Sequence, residues 1–203
     1  MAPPTLIIGT TNPGKAREFR ELLAGLPIAL LPLAELSGRP PDVAEDGPTY
    51  RDNAVKKALS VARWAGHAAL ADDSGLEVDA LGGAPGVHSA RYAGTPQDSG
   101  ANIVKLLAAL AGTPPEQRTA RFRCVIAMAR PDGRVLVAEG TCEGRITETP
   151  NGRAGFGYDP IFFSSALGRT FAEAAPAVKN GVSHRAQACR VLRSQLVEFL
   201  ARS

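Results

Sequence analysis

Apolar positions recur along the chain with two different periods, and together they predict a mixture of strands and helices. Thr5 to Gly9 is a short continuous apolar run followed by turn residues, which predicts a buried strand. Thr10 to Gly14 is turn-rich. From Lys15 to Ala24 the spacing becomes helical, with Phe19, Leu22 and Leu23 on one face and Gly25 as a stop. Ile28 to Leu31 predicts a second strand, and the glycines and prolines of residues 37–49 predict a loop. Tyr50 to Ala65 is a helix opened by Pro48 and Thr49, with Ala54, Ala58, Val61 and Trp64 as its apolar stripe. Ala68 to Ala71 is a third strand that ends in Asp72-Asp73-Ser74-Gly75. A glycine-rich loop from Gly82 to Gly94 and a helix from Ala101 to Ala111 follow. Thr119 to Ala129 and Arg134 to Glu139 are strands joined by Pro131-Asp132-Gly133, a hairpin signal, and Cys142 to Thr147 continues the sheet. Asn151 to Pro160 is a second glycine-rich loop, Ile161 to Phe163 a strand, and Ser183 to Ala201 a helix with Ser183 as N-cap. The alternation gives an α/β class with a long central sheet. The 203 residues suit a single domain, and the best lobe boundary is Gly112-Thr-Pro-Pro115, near residues 112–118.

Composition narrows the function classes. A net charge of +3 suits anionic ligands, but no dense Lys/Arg run argues for nucleic acid. The three cysteines, Cys124, Cys142 and Cys189, are widely spaced and odd in number. They read as buried thiols of a cytoplasmic protein, not a disulfide framework. The first residues lack the basic region of a signal peptide, and no apolar run approaches a membrane span.

Chemistry concentrates in three places. The first is Thr10-Thr11-Asn12-Pro13-Gly14-Lys15, between a strand and a helix. A helix start offers N–H groups and partial positive charge to phosphate, Lys15 adds full charge, and Gly14 permits close backbone approach. Gly9 to Lys15 also fits the opening of a P-loop, and Ala68 to Asp72 is similar to the strand and aspartate that accompany one. Ala16, however, stands where a magnesium-binding hydroxyl is needed, which weakens a P-loop ATPase reading.

The second place is Asp72-Asp73. Successive strand side chains point to opposite faces, so one carboxylate can meet a metal while the other anchors the structure. Glu45 is a candidate second carboxylate, and one or two acids suffice for magnesium. Asn53 and Lys57, four residues apart, share a helix face. The third place is Gly155-Phe156-Gly157-Tyr158-Asp159-Pro160, where flanking glycines leave Phe156 open to stack on a base. Lys179, Ser183, His184 and Arg185 add donors suited to a 6-oxo purine and unsuited to adenine. His67 and His88 read as structural or surface residues.

Six ordered segments resemble the inosine triphosphate pyrophosphatase family. They are Gly9 to Lys15; Glu45-Asp-Gly47 with Asn53-Ala54 and Lys57-Ala58; Ala71 to Leu76; Leu81 to Gly86 with Ser89 to Tyr92; Gly155 to Phe162; and Ser183-His-Arg185. The resemblance implies magnesium-dependent hydrolysis of ITP, dITP or XTP to monophosphate and pyrophosphate. It implies that Thr10, Thr11, Asn12, Pro13, Gly14, Lys15 and Lys57 bind the triphosphate. Asp73 is then the catalytic acid and a magnesium ligand with Glu45, and Ser74 touches substrate. Phe156, Gly157, Tyr158, Asp159, Lys179, His184 and Arg185 hold the base. It also implies an elongated fold, a mixed sheet flanked by helices in two lobes with a cleft between them, and a homodimer. Some bacterial members carry two acids where this chain has Ala44-Glu45. A nucleotide pyrophosphatase of different base preference is the neighbouring alternative.

Overall fold

The computed structural model describes residues 3–201. Its strands are β1 (Thr5–Ile8), β2 (Ala29–Pro32), β3 (Ala68–Val78), β4 (Thr119–Ala129), β5 (Val135–Ile146), β6 (Phe162–Ser164) and β7 (Arg169–Thr170). They form one sheet in the order β2-β1-β3-β4-β5-β6-β7. β1 pairs in parallel with β2 and β3, whereas β5–β6 and β6–β7 are antiparallel, so the sheet is mixed and the class is α/β. β2 is an edge strand, which is why Pro32 can occupy it without costing a ladder hydrogen bond.

Five α-helices occur among the described residues: α1 (Pro13–Leu22), α2 (Tyr50–Ala65), α3 (Ser99–Ala109), α4 (Pro176–Val182) and α5 (His184–Ala201). Local sequence sets their starts. Asn12 caps α1 and Pro13 fills its first position, where a missing N–H costs nothing. Thr49 caps α2 and Asp98 caps α3. Gly66, at φ 67°, ends α2 in a left-handed conformation that a Cβ disfavours.

The chain divides into two units. One comprises the chain up to Asp73, Cys124–Gly140 and the chain from Arg185; the other comprises Ser74–Arg123 and Thr141–His184. The first unit's core joins Leu6, Ile8, Leu70 and Ile126 of the sheet to Phe19 and Leu23 of the α1 segment and Leu192 and Leu196 of α5. Full burial of each such side chain contributes about 1.5–3 kcal/mol. The second unit's core gathers Leu76, Val78, Leu106, Phe122, Ile146, Phe162 and Phe171. There Arg118 is buried and closes the C-terminal end of α3, donating to the carbonyls of Leu110 at 3.0 Å and Thr113 at 2.9 Å. All three cysteines are free and buried, as their spacing implies.

The structure departs from the sequence-based expectations in four ways. β3 does not stop at Ala71 but runs through Asp72, Asp73 and Ser74 to Val78. Both aspartates bond to side chains of other elements, so their preference for turns is overridden by tertiary partners. β5 is continuous through Gly140, joining two expected strands. β7 is too short to carry a period, and α4 went unforeseen despite the start signal of Pro176. The division between the two units falls within β3, β4, β5 and α5.

Gly144 occupies a position in β5 where a Cβ would overlap the Phe163 carbonyl and approach the Phe162 ring to 2.6 Å. Gly144→Ala should therefore destabilise the fold by about 1–3 kcal/mol in denaturant unfolding, the range for overpacking. An unchanged midpoint would show that β6 yields freely at this contact.

Candidate active site

Asp72 and Asp73 are neighbours in β3, and their side chains have different partners within the first unit. Asp72 is 2% exposed. Its Oδ2 receives Arg185 Nη2 at 2.8 Å and lies 3.1 Å from Lys15 Nζ and 3.9 Å from Cys124 Sγ. Arg185 is 1% exposed, donates Nη1 to Glu18 of α1, and lies over the Phe19 ring. Burial opposes its charge, but Asp72 and Glu18 prevail and hold the guanidinium firmly protonated. Two cations and two carboxylates thus neutralise one another under the first turn of α1, with Lys15 the most accessible member.

That first turn is self-satisfied. Asn12 Oδ1 accepts from the N–H groups of Gly14 at 2.9 Å and Lys15 at 3.1 Å, and the Asn12 carbonyl accepts from Ala16. The Asn12 N–H donates to Thr10 Oγ1. The sequence suggests bare N–H groups here; the structure corrects this, because Asn12 caps them. What the turn presents are the exposed Thr11 and Asn12, the half-buried Thr10 and the Lys15 ammonium.

Asp73 is 5% exposed and faces α2. Asn53 donates Nδ2 to its Oδ2 at 3.0 Å, and Lys57 Nζ lies 3.8 Å from its Oδ1. Lys57 also donates to Glu45 Oε1 at 2.6 Å. Asn53 Oδ1 accepts from Gly47 N–H at 2.8 Å, and this ties the Glu45 loop to the same helix face. A Cβ at Gly47 would come 2.8 Å from that amide oxygen, so glycine lets the loop approach. Burial raises the Asp73 carboxyl above its ordinary range despite the lowering effects of Lys57 and Asn53. A raised folded pKa favours the protonated native state, so this contribution to stability is present at low pH and lost as pH rises through that window. Burial pushes Lys57 down, but Asp72, Asp73 and Glu45 outweigh it and push it up.

Two carboxylates around one lysine leave a net negative set. Among the described residues there is no cluster of three or more His, Cys, Asp or Glu. Carboxylate oxygens such as those of Asp73 and Glu45 are of the kind that a hard ion such as magnesium takes alongside water and phosphate oxygens.

The second unit carries the aromatic set. Asp159 closes the Gly155–Pro160 turn by accepting the Phe156 N–H at 2.9 Å, and Lys179 Nζ donates to the same Oδ2 at 2.6 Å. Lys179 lies 4.7 Å from the Phe156 ring centroid, which covers one face of that half-buried ring with a cation. Gly155 adopts φ 78°, and a Cβ there would overlap the Asp159 carboxylate. His184 is 5% exposed and stacks on Phe122. Tyr158 is buried and donates its hydroxyl to the Ser89 carbonyl at 2.9 Å, and burial pushes its ionisation up. It fastens the turn to the segment Gly86–Arg91.

The structure thus gathers Thr10 to Lys15, Glu45, Lys57 and Asp73 in one unit, and Phe156 to Asp159, Lys179 and His184 in the other, with half-buried Ser74 directly after Asp73. Arg185 belongs with Asp72 in the first unit, where its guanidinium is already committed to two carboxylates. His67 and His88 are both exposed. Sequence reasoning missed Glu18, although it shares the inward face of α1 with Gly14 and Phe19. A carboxylate on such a face requires a buried cation, and this signal could have found it.

A model of the Ham1 family matches residues 6–195. The chain is 52% identical over 185 residues to the dITP/XTP pyrophosphatase of Desulforamulus reducens, covering 91% of this chain and 92% of that one. It is 48% identical over 192 residues to the dITP/XTP pyrophosphatase of Bacillus subtilis, covering 95% and 96%. Its fold superimposes on the structure of a HAM1 protein from Coxiella burnetii with a TM-score of 0.85 at 42% identity, covering 96% of this chain and 99% of that one. With this breadth of agreement behind the two residue sets just described, the chain belongs to the Ham1 family.

Proposed function

We propose that this chain is a dITP/XTP pyrophosphatase that hydrolyses deaminated purine nucleoside triphosphates at the α-phosphorus, releasing the monophosphate and pyrophosphate. The observation that carries the reading is the buried Asp73, held by Asn53 and Lys57 beside the Glu45 loop, in a chain about half identical to dITP/XTP pyrophosphatases.

Magnesium held by Asp73 and Glu45 would neutralise phosphate charge and lower the pKa of water. Asp73 would orient the attacking water and accept its proton, a task suited to a carboxylate whose proton affinity burial has increased. Asn53, by occupying Asp73 Oδ2, fixes the rotation of that carboxylate. Lys15 and Lys57 would stabilise the charge that develops on the leaving pyrophosphate. Thr10, Thr11, Asn12, Pro13 and Gly14 would line the phosphate end, and Ser74 would touch substrate beside Asp73. Phe156 would stack on the purine, while Lys179 and His184 donate to its oxo edge. Gly157 and Asp159 shape the turn that carries Phe156, and Tyr158 anchors it. Arg185, which the resemblance assigns to the base, also donates to Asp72 Oδ2 at 2.8 Å. A homodimer belongs to the same proposal and is measurable by sedimentation.

Pyrophosphate release should be rapid with dITP and XTP, require magnesium, and fall by about tenfold or more in kcat/KM with ATP, whose 6-amino group meets donors. Orthophosphate as the product, or equal use of ATP, would overturn the proposal. A pH series gives a second check. Turnover should fall on the acid side as Asp73 takes up its proton, with a midpoint above the ordinary carboxylate range. Lys57 lowers the Asp73 pKa, so Lys57→Met should move that acid limb to higher pH while slowing the reaction. A limb that stays in place would remove Asp73 as the titrating group.

A further inference from the structure

Phe122 has no role in the reading above, yet it sits against one of the residues that the reading assigns to the base. The ring of Phe122 on β4 lies 4.7 Å from the imidazole of His184, with 16° between their planes. Phe122 is itself fixed. Its centroid is 4.5 Å from Phe162, tilted by 54°, and 5.9 Å from Phe171, nearly parallel at 4°. Phe162 and Phe171 also meet at 5.0 Å. Phe171 in turn lies 5.4 Å beneath Lys179 Nζ. One aromatic cluster therefore supports both donors of the proposed base site, with Phe122 under the imidazole and Phe171 under the ammonium.

Stacking of this kind has a directional consequence. The N–H bonds of an imidazole lie in its ring plane, so a neighbour that fixes the plane fixes the line along which the group can donate. A purine edge also offers its acceptors in plane, so a tilt of the imidazole weakens the bond even when the ring centre is unmoved. An aliphatic side chain of similar volume would fill the space under His184 without imposing a plane, whereas the aromatic face does impose one. Phe122 is only 8% exposed, packs against Phe162 and Phe171, and has a face turned to His184.

We propose that Phe122 is a positioning residue for base selectivity, which sets the plane of His184 and through it the preference for 6-oxo purines. This rests on the assignment of His184 to the base. The test compares Phe122→Leu, Phe122→Tyr and His184→Ala with the wild type, using kcat/KM for dITP against dATP and the proton resonances of the His184 ring. In the wild type those resonances should lie upfield because of the ring current of Phe122. In Phe122→Leu they should move downfield, and the dITP preference should fall by about tenfold, mainly through KM, while product identity is unchanged. Phe122→Tyr, which keeps the ring, should retain both the shift and the preference. If the leucine variant does not fold, Phe122→Met provides the same loss of a planar face with a more adaptable side chain. An unchanged preference in the leucine or methionine variant, alongside a reduced preference in His184→Ala, would overturn the proposal while leaving the base assignment intact. An unchanged preference in His184→Ala would overturn the base assignment and the role of Phe122 with it.

Discussion

The site depends on a property of extended backbone: consecutive side chains of a strand leave on opposite sides. Two aspartates one residue apart in β3 are thereby given to different helices. Asp72 is delivered to α1 and α5, where Lys15, Arg185 and Glu18 surround it. Asp73 is delivered to α2, where Asn53 and Lys57 receive it. Neighbouring positions keep the same alternation, for Leu70 packs with Phe19 and Leu192 on the side that Asp72 shares. A one-residue slip of β3 would exchange the two carboxylates and place each among the wrong partners.

The two environments differ in charge balance, and this gives the carboxylates different work. Around Asp72 the cations and anions are equal in number and, apart from the half-buried Lys15, buried, an arrangement that holds elements together and that breaks badly if one partner is lost. Around Asp73 carboxylates outnumber cations, and burial increases the proton affinity of the acid. Excess negative charge with few protein donors suits an ion that arrives with its own water and phosphate oxygens. Asn12 adds a comparable economy at the start of α1, because its side chain satisfies the N–H groups that would otherwise seek an anion.

Much of this was legible in the residues. The period of apolar positions located β1, β4, α2 and α5 closely, since each is long or continuous enough to display its pattern. Strand alternation by itself separates Asp72 from Asp73. What could not be read were long-range partnerships. Arg185 and Asp72 stand 113 positions apart, and no local pattern joins them. The preference of aspartate for turns concealed the continuation of β3, and a two-residue β7 has no period to detect. Tyr158 gives no local sign of its partner, for its hydroxyl donates to the carbonyl of Ser89, 69 positions away.

The division of labour between the two aspartates is tested most directly by thermal unfolding and pyrophosphate release measured together on Asp72→Asn and Asp73→Asn. Loss of the Asp72 charge strands buried Arg185, so that variant should be destabilised by about 3–5 kcal/mol, as for removal of one member of a buried ion pair. Loss of the Asp73 charge removes a carboxylate whose ionisation burial opposes, so that variant should unfold no earlier than the wild type at neutral pH, yet release no pyrophosphate. An Asp72→Asn protein as stable as the wild type, or an Asp73→Asn protein that still turns over, would contradict the account.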